Sequence, residues 1–226
     1  MPFEDKQEYD GLLKYYQHAI LDKGGPEASG MQTLAALTRL RQAACHPGLL
    51  KDSRARDTSA KLELLCASLS TLLEAGHKAL VFSQFTAFLK IIQARLEELG
   101  YGFCYLDGDT KDRGTVVDTF QKDSAKQVFL ISLKAGGVGL NLTAADYVFI
   151  MDPWWNPAAE AQAIDRAYRI GQDNPVMAYR IATKGTIEEK VLALQDAKRA
   201  LAAAVLDEGA GVPVRFSRKD LEALLK

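Results

Sequence analysis

The 226-residue sequence predicts an α/β fold, a mainly parallel sheet covered on both faces by helices. Three observations carry this expectation: five short apolar runs, segments of helical period between them, and hydrophobicity that is near-continuous within each run. A strand buried on one face alternates apolar with polar residues, whereas Ala79-Leu80-Val81-Phe82 and Val128-Phe129-Leu130-Ile131 are apolar throughout.

The elements follow in order. Residues 6–22 and 30–45 read as helices, separated by Gly24-Gly25-Pro26, which no helix carries through. The second has Leu34, Leu37, Thr38 and Arg41 at helical spacing. After Cys45-His46-Pro47-Gly48, the polar stretch Lys51–Ser59 carries both signs of charge and reads as a linker. Residues 1–58 are therefore expected to form a helical segment, and 59–226 the main domain with a helical extension at its end. In that domain, helix 60–75 sets Leu62, Leu65, Leu69 and Leu72/Leu73 on one side and leads to strand 78–83. Helix 86–99 stops at Gly100, strand 102–106 and helix 112–121 follow, and strand 127–132 opens into a glycine-rich loop. Strand 146–151 precedes helix 157–170, with Asn156 as N-cap, Pro157 in its first position and Gly171 closing it. Strand 176–182 and a long helix 186–206 complete the series; Thr186 caps the latter, Gly209 lies beyond it, and Ile187, Val191, Leu194, Leu201 and Val205 form its stripe.

Composition narrows the class. Hydrophobic residues make up 48% and charged residues 25%, as in an ordinary soluble globular protein and unlike disordered, collagen-like or membrane-embedded chains. The longest apolar run, Ala200–Leu206, is far short of the roughly 18 residues that cross a bilayer. The opening Met1-Pro2-Phe3-Glu4-Asp5 is acidic where a secretory signal is basic, so an intracellular protein is expected. With 28 basic and 29 acidic residues the net charge is −1, so any contact with nucleic acid must be local. Cys45, Cys66 and Cys104 suit neither a disulfide framework nor a zinc site, and His18, His46 and His77 do not cluster, which leaves no metal site in view.

In an open parallel sheet ligands sit beyond the carboxyl ends of the strands. The exits here read Gln84-Phe85-Thr86, Asp107-Gly108-Asp109-Thr110, Leu133-Lys134-Ala135-Gly136-Gly137-Val138-Gly139, and Asp152-Pro153-Trp154-Trp155-Asn156-Pro157. The loop with Gly136, Gly137 and Gly139 serves either as a tight turn or as a cradle of amides for an anionic oxygen. Gln162, Asp165, Arg166 and Arg169 share one face of the predicted helix 157–170. They form either a solvated face, with Asp165 and Gln162 pairing the arginines, or a double guanidinium clamp for phosphate. The dipeptide Gly-Lys never occurs, so there is no Walker A loop, and a phosphate site must find its other half elsewhere.

These motifs together resemble a known family. Ser132 to Leu142, Asp152 to Pro157 and Gln162 to Gln172 closely resemble the second RecA-like lobe of the Swi/Snf-type ATPases in helicase superfamily two. Lys78 to Phe85, Asp107 to Arg113, Tyr179 to Lys190 and Leu40-Arg41-Gln42 with His46-Pro47 are similar to that family as well. The resemblance implies a RecA-like lobe, preceded by a segment that connects the lobes, in a motor that moves along double-stranded DNA. ATP with Mg2+ would be held mostly by an absent first lobe of the same protein. Arg166 and Arg169 would then be arginine fingers, supported by Gln162, Asp165 and Gly139. Ser83, Gln84, Gly108, Arg113, Ser132, Lys134 and Gly136 would contact the DNA backbone, with Trp154 or Trp155 against a strand unless both tryptophans pack in the core. The chain alone would not turn over ATP. It would work in the cytoplasm of a bacterium or archaeon, or in the nucleus of a eukaryote. A non-catalytic nucleic-acid-binding or scaffold module on the same fold, and an RNA helicase lobe, are the alternatives.

Overall fold

The computed structural model describes residues 1–22, 30–135, 140–154, 157–169, 172, 174–206 and 223–225. Five strands form one sheet: β1 (Ala79–Ser83), β2 (Phe103–Leu106), β3 (Val128–Ser132), β4 (Tyr147–Ile150) and β5 (Met177–Arg180). They lie in the order β2-β3-β1-β4-β5, and every neighbouring pair is parallel. Helices α1 (Phe3–Gln17), α2 (Gly30–Cys45), α3 (Ala60–Glu74), α4 (Thr86–Glu98), α5 (Arg113–Lys122), α6 (Pro157–Ile164) and α7 (Ile187–Leu206) surround it.

The continuous apolar runs have the predicted consequence, because β1 and β3 are buried at every position. Ala79 and Val81 pack with Leu65 and Leu69 of α3 and Phe88 and Ile92 of α4, whereas Leu80 and Phe82 pack with Phe120 of α5 and Ala163 of α6. Each fully buried Leu or Phe contributes about 1.5–3 kcal/mol by leaving water. Edge strand β5 differs: all four of its residues are exposed. Local chemistry fixes the helix ends. The Ser59 hydroxyl accepts the Leu62 amide at 3.2 Å to open α3, and Asp112 accepts the Thr115 amide at 3.0 Å to open α5. Past α4, Gly100 takes φ +73°, and the Gly100 and Tyr101 amides close on the carbonyls of Glu97 and Leu96.

Three features depart from the local reading. The buried face of α2 is Thr33, Ala36, Leu37, Leu40, Arg41 and Ala44, with Leu34 and Thr38 turned to solvent. That face packs against Ile187 and Val191 of α7 and Tyr9 of α1 in a third core cluster, so α1 and α2 lie on the domain. The stretch expected as a linker is pinned by Arg54, which pairs with Asp5 at 2.9 Å, Glu8 at 3.0 Å and Asp57 at 2.6 Å. Finally, α6 ends at Ile164, short of the expected residue 170, and the chain continues through turns. The Arg166 carbonyl accepts the Leu142 amide at 3.1 Å and the Ala167 carbonyl accepts the Gln172 carboxamide at 3.4 Å. These tertiary bonds take carbonyls that a continuing helix would need for its own ladder.

Candidate functional site

Because all strands run the same way, their exits meet at one edge. Register aligns Ser83 with Ser132, Ile150 with Phe82, and Leu106 with Ile131. The loops that begin at residues 84, 107, 133 and 151 therefore emerge side by side. The Leu133 amide donates to the Ser83 carbonyl and the Met151 amide to the Phe82 carbonyl, both at 2.9 Å, so adjacent exits are stitched together where they leave the sheet.

The half of this edge around β1 and β4 is closed by buried charges. Asp152 has no exposed surface; it accepts the Ser83 hydroxyl at 2.5 Å and the Gln84 amide at 3.3 Å, and pairs with Arg41 of α2 at 3.4 Å. Arg41 also donates to the Pro153 carbonyl at 2.5 Å and lies over the rings of Phe85 and Trp154, at 5.5 and 5.6 Å. Burial pushes the Asp152 carboxyl up to about 6, against the opposing pull of Arg41 and the Ser83 hydroxyl. Below this pair, the Lys61 ammonium bonds Glu188 at 2.6 Å, the Met151 carbonyl at 2.6 Å and the Ile181 carbonyl at 3.1 Å. Burial works against the charge on Lys61, but Cys45, Glu188 and Asp152 together outweigh it, and the lysine pKa stands above its ordinary value. Buried Glu160 accepts the Trp154 amide at 2.7 Å, Arg180 at 2.6 Å and Gln195 at 3.0 Å, and Gln195 also donates to the Trp154 carbonyl.

The half around β2 and β3 is open. Gly108 and Lys134 are exposed. Half-buried Arg113 reaches the Ala135 carbonyl at 3.3 Å and the Gly108 carbonyl at 3.5 Å, which ties these two loops together. Asp107 folds its own turn by accepting the Asp109 amide and the Tyr105 hydroxyl, at 3.0 and 3.1 Å. Burial opposes ionisation of Asp107, but these bonds hold its pKa below the usual carboxylate value.

The expected site residues therefore divide. Ser83 and Ser132 are buried, and the Ser83 hydroxyl is engaged by Asp152 and by the Phe85 amide at 3.0 Å. Gln84 and Trp154 are half-buried at the rim, and the Gln84 carboxamide nitrogen is buried without a partner among the described residues. Gly136, Gly139 and Trp155 lie outside the described residues, as do Asn156 and Gly171. Gln162, Asp165 and Arg169 are exposed, whereas Arg166 is buried. The Arg166 Nε donates to the Gln162 carbonyl at 3.2 Å, while its Nη1 is buried without a partner among the described residues. Burial, and then the neighbouring Arg169 charge, lower the Arg166 pKa. No ion pair joins Asp165 to either arginine among the described residues, so the solvated, paired face is not what forms here.

Sequence reasoning assigned no site role to Arg41, Lys61, Glu160 or Glu188, although Arg41 and Glu188 lie in stretches that resemble the family. One signal for Arg41 was visible, a cation at an apolar-stripe position of a helix. Its partner Asp152, 111 positions away, was not legible from spacing.

Residues 60–171 match the family described as Helicase conserved C-terminal domain. Over 158 residues, 68% of this chain, the sequence is 47% identical to DNA repair protein RAD5 of Cryptococcus neoformans var. neoformans serotype D, and it spans 13% of the length of that curated relative. Two solved structures are similar along nearly the whole chain. The C-terminal part of the Fun30 ATPase domain superposes with a TM-score of 0.76 at 25% identity, covering 98% of this chain and 92% of that one. The Sulfolobus solfataricus SWI2/SNF2 ATPase core in complex with dsDNA gives 0.79 at 28% identity, covering 99% of this chain and 48% of that one. With a parallel sheet of this topology and these exit loops, the chain belongs to the C-terminal RecA-like lobes of the Swi/Snf type in helicase superfamily two.

Proposed function

We propose that this chain is the second motor lobe of an ATP-dependent double-stranded DNA translocase or remodeller, working with a first RecA-like lobe of the same protein. The observation that carries the reading is Arg166, a buried guanidinium beside a second arginine, with an unpartnered Nη1 and no carboxylate paired to it among the described residues. Two neighbouring cations, one of them desolvated, are stable only against an anion, and the planar fork of arginine suits a phosphate. Arg169 is the finger that reaches across to the triphosphate; Arg166 adds fixed charge behind it, and Gln162, Asp165 and Gly139 support the pair. Among the described residues no group of three His, Cys, Asp or Glu side chains suits a metal ion. In this reading ATP and Mg2+ are held mostly by the first lobe, and this chain alone should not turn over ATP. Bound between the lobes, the nucleotide supplies the phosphoryl group whose developing charge these arginines offset.

Duplex DNA lies along the carboxyl edge in this reading. Gln84, Gly108, Arg113, Lys134 and Gly136 meet the backbone, and Trp154 or Trp155 lies against a strand. Ser83 and Ser132 act from inside, holding the exits in register. The one-sided placement suits a chain of net charge −1, since a short track of cations and amides gives position without sequence reading. The dsDNA complex of the Sulfolobus relative favours duplex over RNA. A DNA substrate implies a nuclear location in a eukaryote and a cytoplasmic one otherwise.

The test joins this chain to its first lobe and measures DNA-stimulated phosphate release. Arg169→Ala should lower turnover by about 10³-fold or more, the usual worth of such a finger. Unchanged turnover would overturn the assignment.

A further inference from the structure

The Arg41 guanidinium comes from α2, in the helical segment that precedes the sheet, yet its contacts are on the exit loops of β1 and β4. It is 1% exposed, and its partner Asp152 is 0% exposed. The guanidinium lies over the Phe85 and Trp154 rings, while its Nη2 reaches the Asp152 carboxylate and the Pro153 carbonyl. Asp152 carries the connection onward to the Ser83 hydroxyl and the Gln84 amide. Arg41 therefore ties the Trp154 ring directly, and Gln84 through Asp152, to a helix outside the sheet.

We infer that Arg41 is a positioning residue for duplex binding, locking Trp154 and Gln84 into the arrangement that meets the DNA backbone. The inference rests on the duplex reading above and deepens it. Because removing one partner of a buried pair strands the other charge, α2 cannot shift against the loops by small steps. The pair either holds or breaks, so the position of the segment preceding the lobe and the geometry of the DNA-facing loops change together. Lysine would keep the charge but lose both the plane and the fork, which makes Arg41→Lys informative.

The experiment uses the intact chain in two arms. In the first, affinity for a short duplex is measured by fluorescence anisotropy at low salt for the parent, Arg41→Met, Arg41→Lys and Tyr9→Phe. Tyr9→Phe removes the acceptor of the Ile187 amide at 2.6 Å within the same helical cluster, away from the loops, and controls for general loss of stability. In the second arm Trp155→Phe leaves Trp154 as the single tryptophan, and acrylamide quenching is compared with and without Arg41→Met. The expected result is a loss of affinity of about tenfold for Arg41→Met, the size of one lost stacking or backbone contact. Arg41→Lys should fall between, Tyr9→Phe should match the parent, and Trp154 should be quenched more readily once Arg41 is gone. Equal affinity of Arg41→Met and parent, or equal losses in Arg41→Met and Tyr9→Phe, would overturn the inference while leaving the duplex reading intact. A parent that fails to bind duplex would instead overturn the duplex reading; unchanged quenching in the second arm would then show that Arg41 does not hold Trp154 at all.

Discussion

The two halves of the carboxyl edge are built from the same kinds of residue in opposite ways. Around β1 and β4, Arg41, Lys61, Asp152, Glu160 and Glu188 are all buried and all paired. Around β2 and β3, Lys134 stands in solvent, and Arg113 makes two long bonds to carbonyls. A charge that is desolvated and matched contributes rigid position, because moving it exposes a large unpaired cost. A charge left in water keeps its attraction for an outside partner, and in a phosphate-binding surface that attraction is the affinity. In the proposed complex, charged contact thus belongs to the open half, whereas the closed half places its rim residues Gln84 and Trp154, although local sequence marks both halves with similar polar residues after similar strands.

The largest test of this contrast is at Lys61. Lys61→Met leaves Glu188 buried without its cation, which should cost about 3–5 kcal/mol in chemical denaturation, and a double variant that also carries Glu188→Leu should regain most of the loss. A loss below about 1 kcal/mol would mean that the closed half is not held by its charges.

Next in size is the pH response of Asp152. Its carboxyl stands at about 6 in the fold against an ordinary value of 3.8, so the native state binds this proton more readily than the unfolded chain. The stabilisation from that proton is present below about pH 4 and is lost as pH rises through about 6. The unfolding free energy of the parent relative to Asp152→Asn should therefore fall as pH rises from about 4 to about 7. A flat difference across that window would place the Asp152 carboxylate in a far more polar setting than its burial indicates.

The smallest effect on stability is expected in the open half. Lys134→Ala should leave the melting midpoint unchanged, lower duplex affinity at low salt, and reduce the slope of log affinity against log salt by about one. If Lys134→Ala instead destabilises the fold, the division between the halves fails.

Much of the fold was legible from the chain. Strands show themselves where continuous apolar runs meet turn residues, and the stop at Gly100 acts over a few residues, which a local reading captures. The end of α6 was not legible, since the residues beyond Ile164 have helical character and only the Leu142 amide and Gln172 side chain draw their carbonyls away. Gly108, Arg113 and Lys134 could be placed on the open edge because strand exits in a parallel sheet are predictable positions. The charge pairing of the buried half was not legible, because Arg41 and Asp152, or Lys61 and Glu188, are more than a hundred residues apart and neither member announces its partner.

What the sequence determined by itself was therefore the period, the order and the ends of most elements, since hydrophobic spacing and capping act between near neighbours. It also placed candidate polar groups at one edge, because parallel strands separated by helices all release their loops on the same side. Tertiary structure alone decided which of those groups face water. Burial and charge pairing depend on the meeting of α2, α3, α6 and α7 over the sheet, and the cost of an unmatched buried charge selects the one packing in which Asp152 and Glu188 each find a cation.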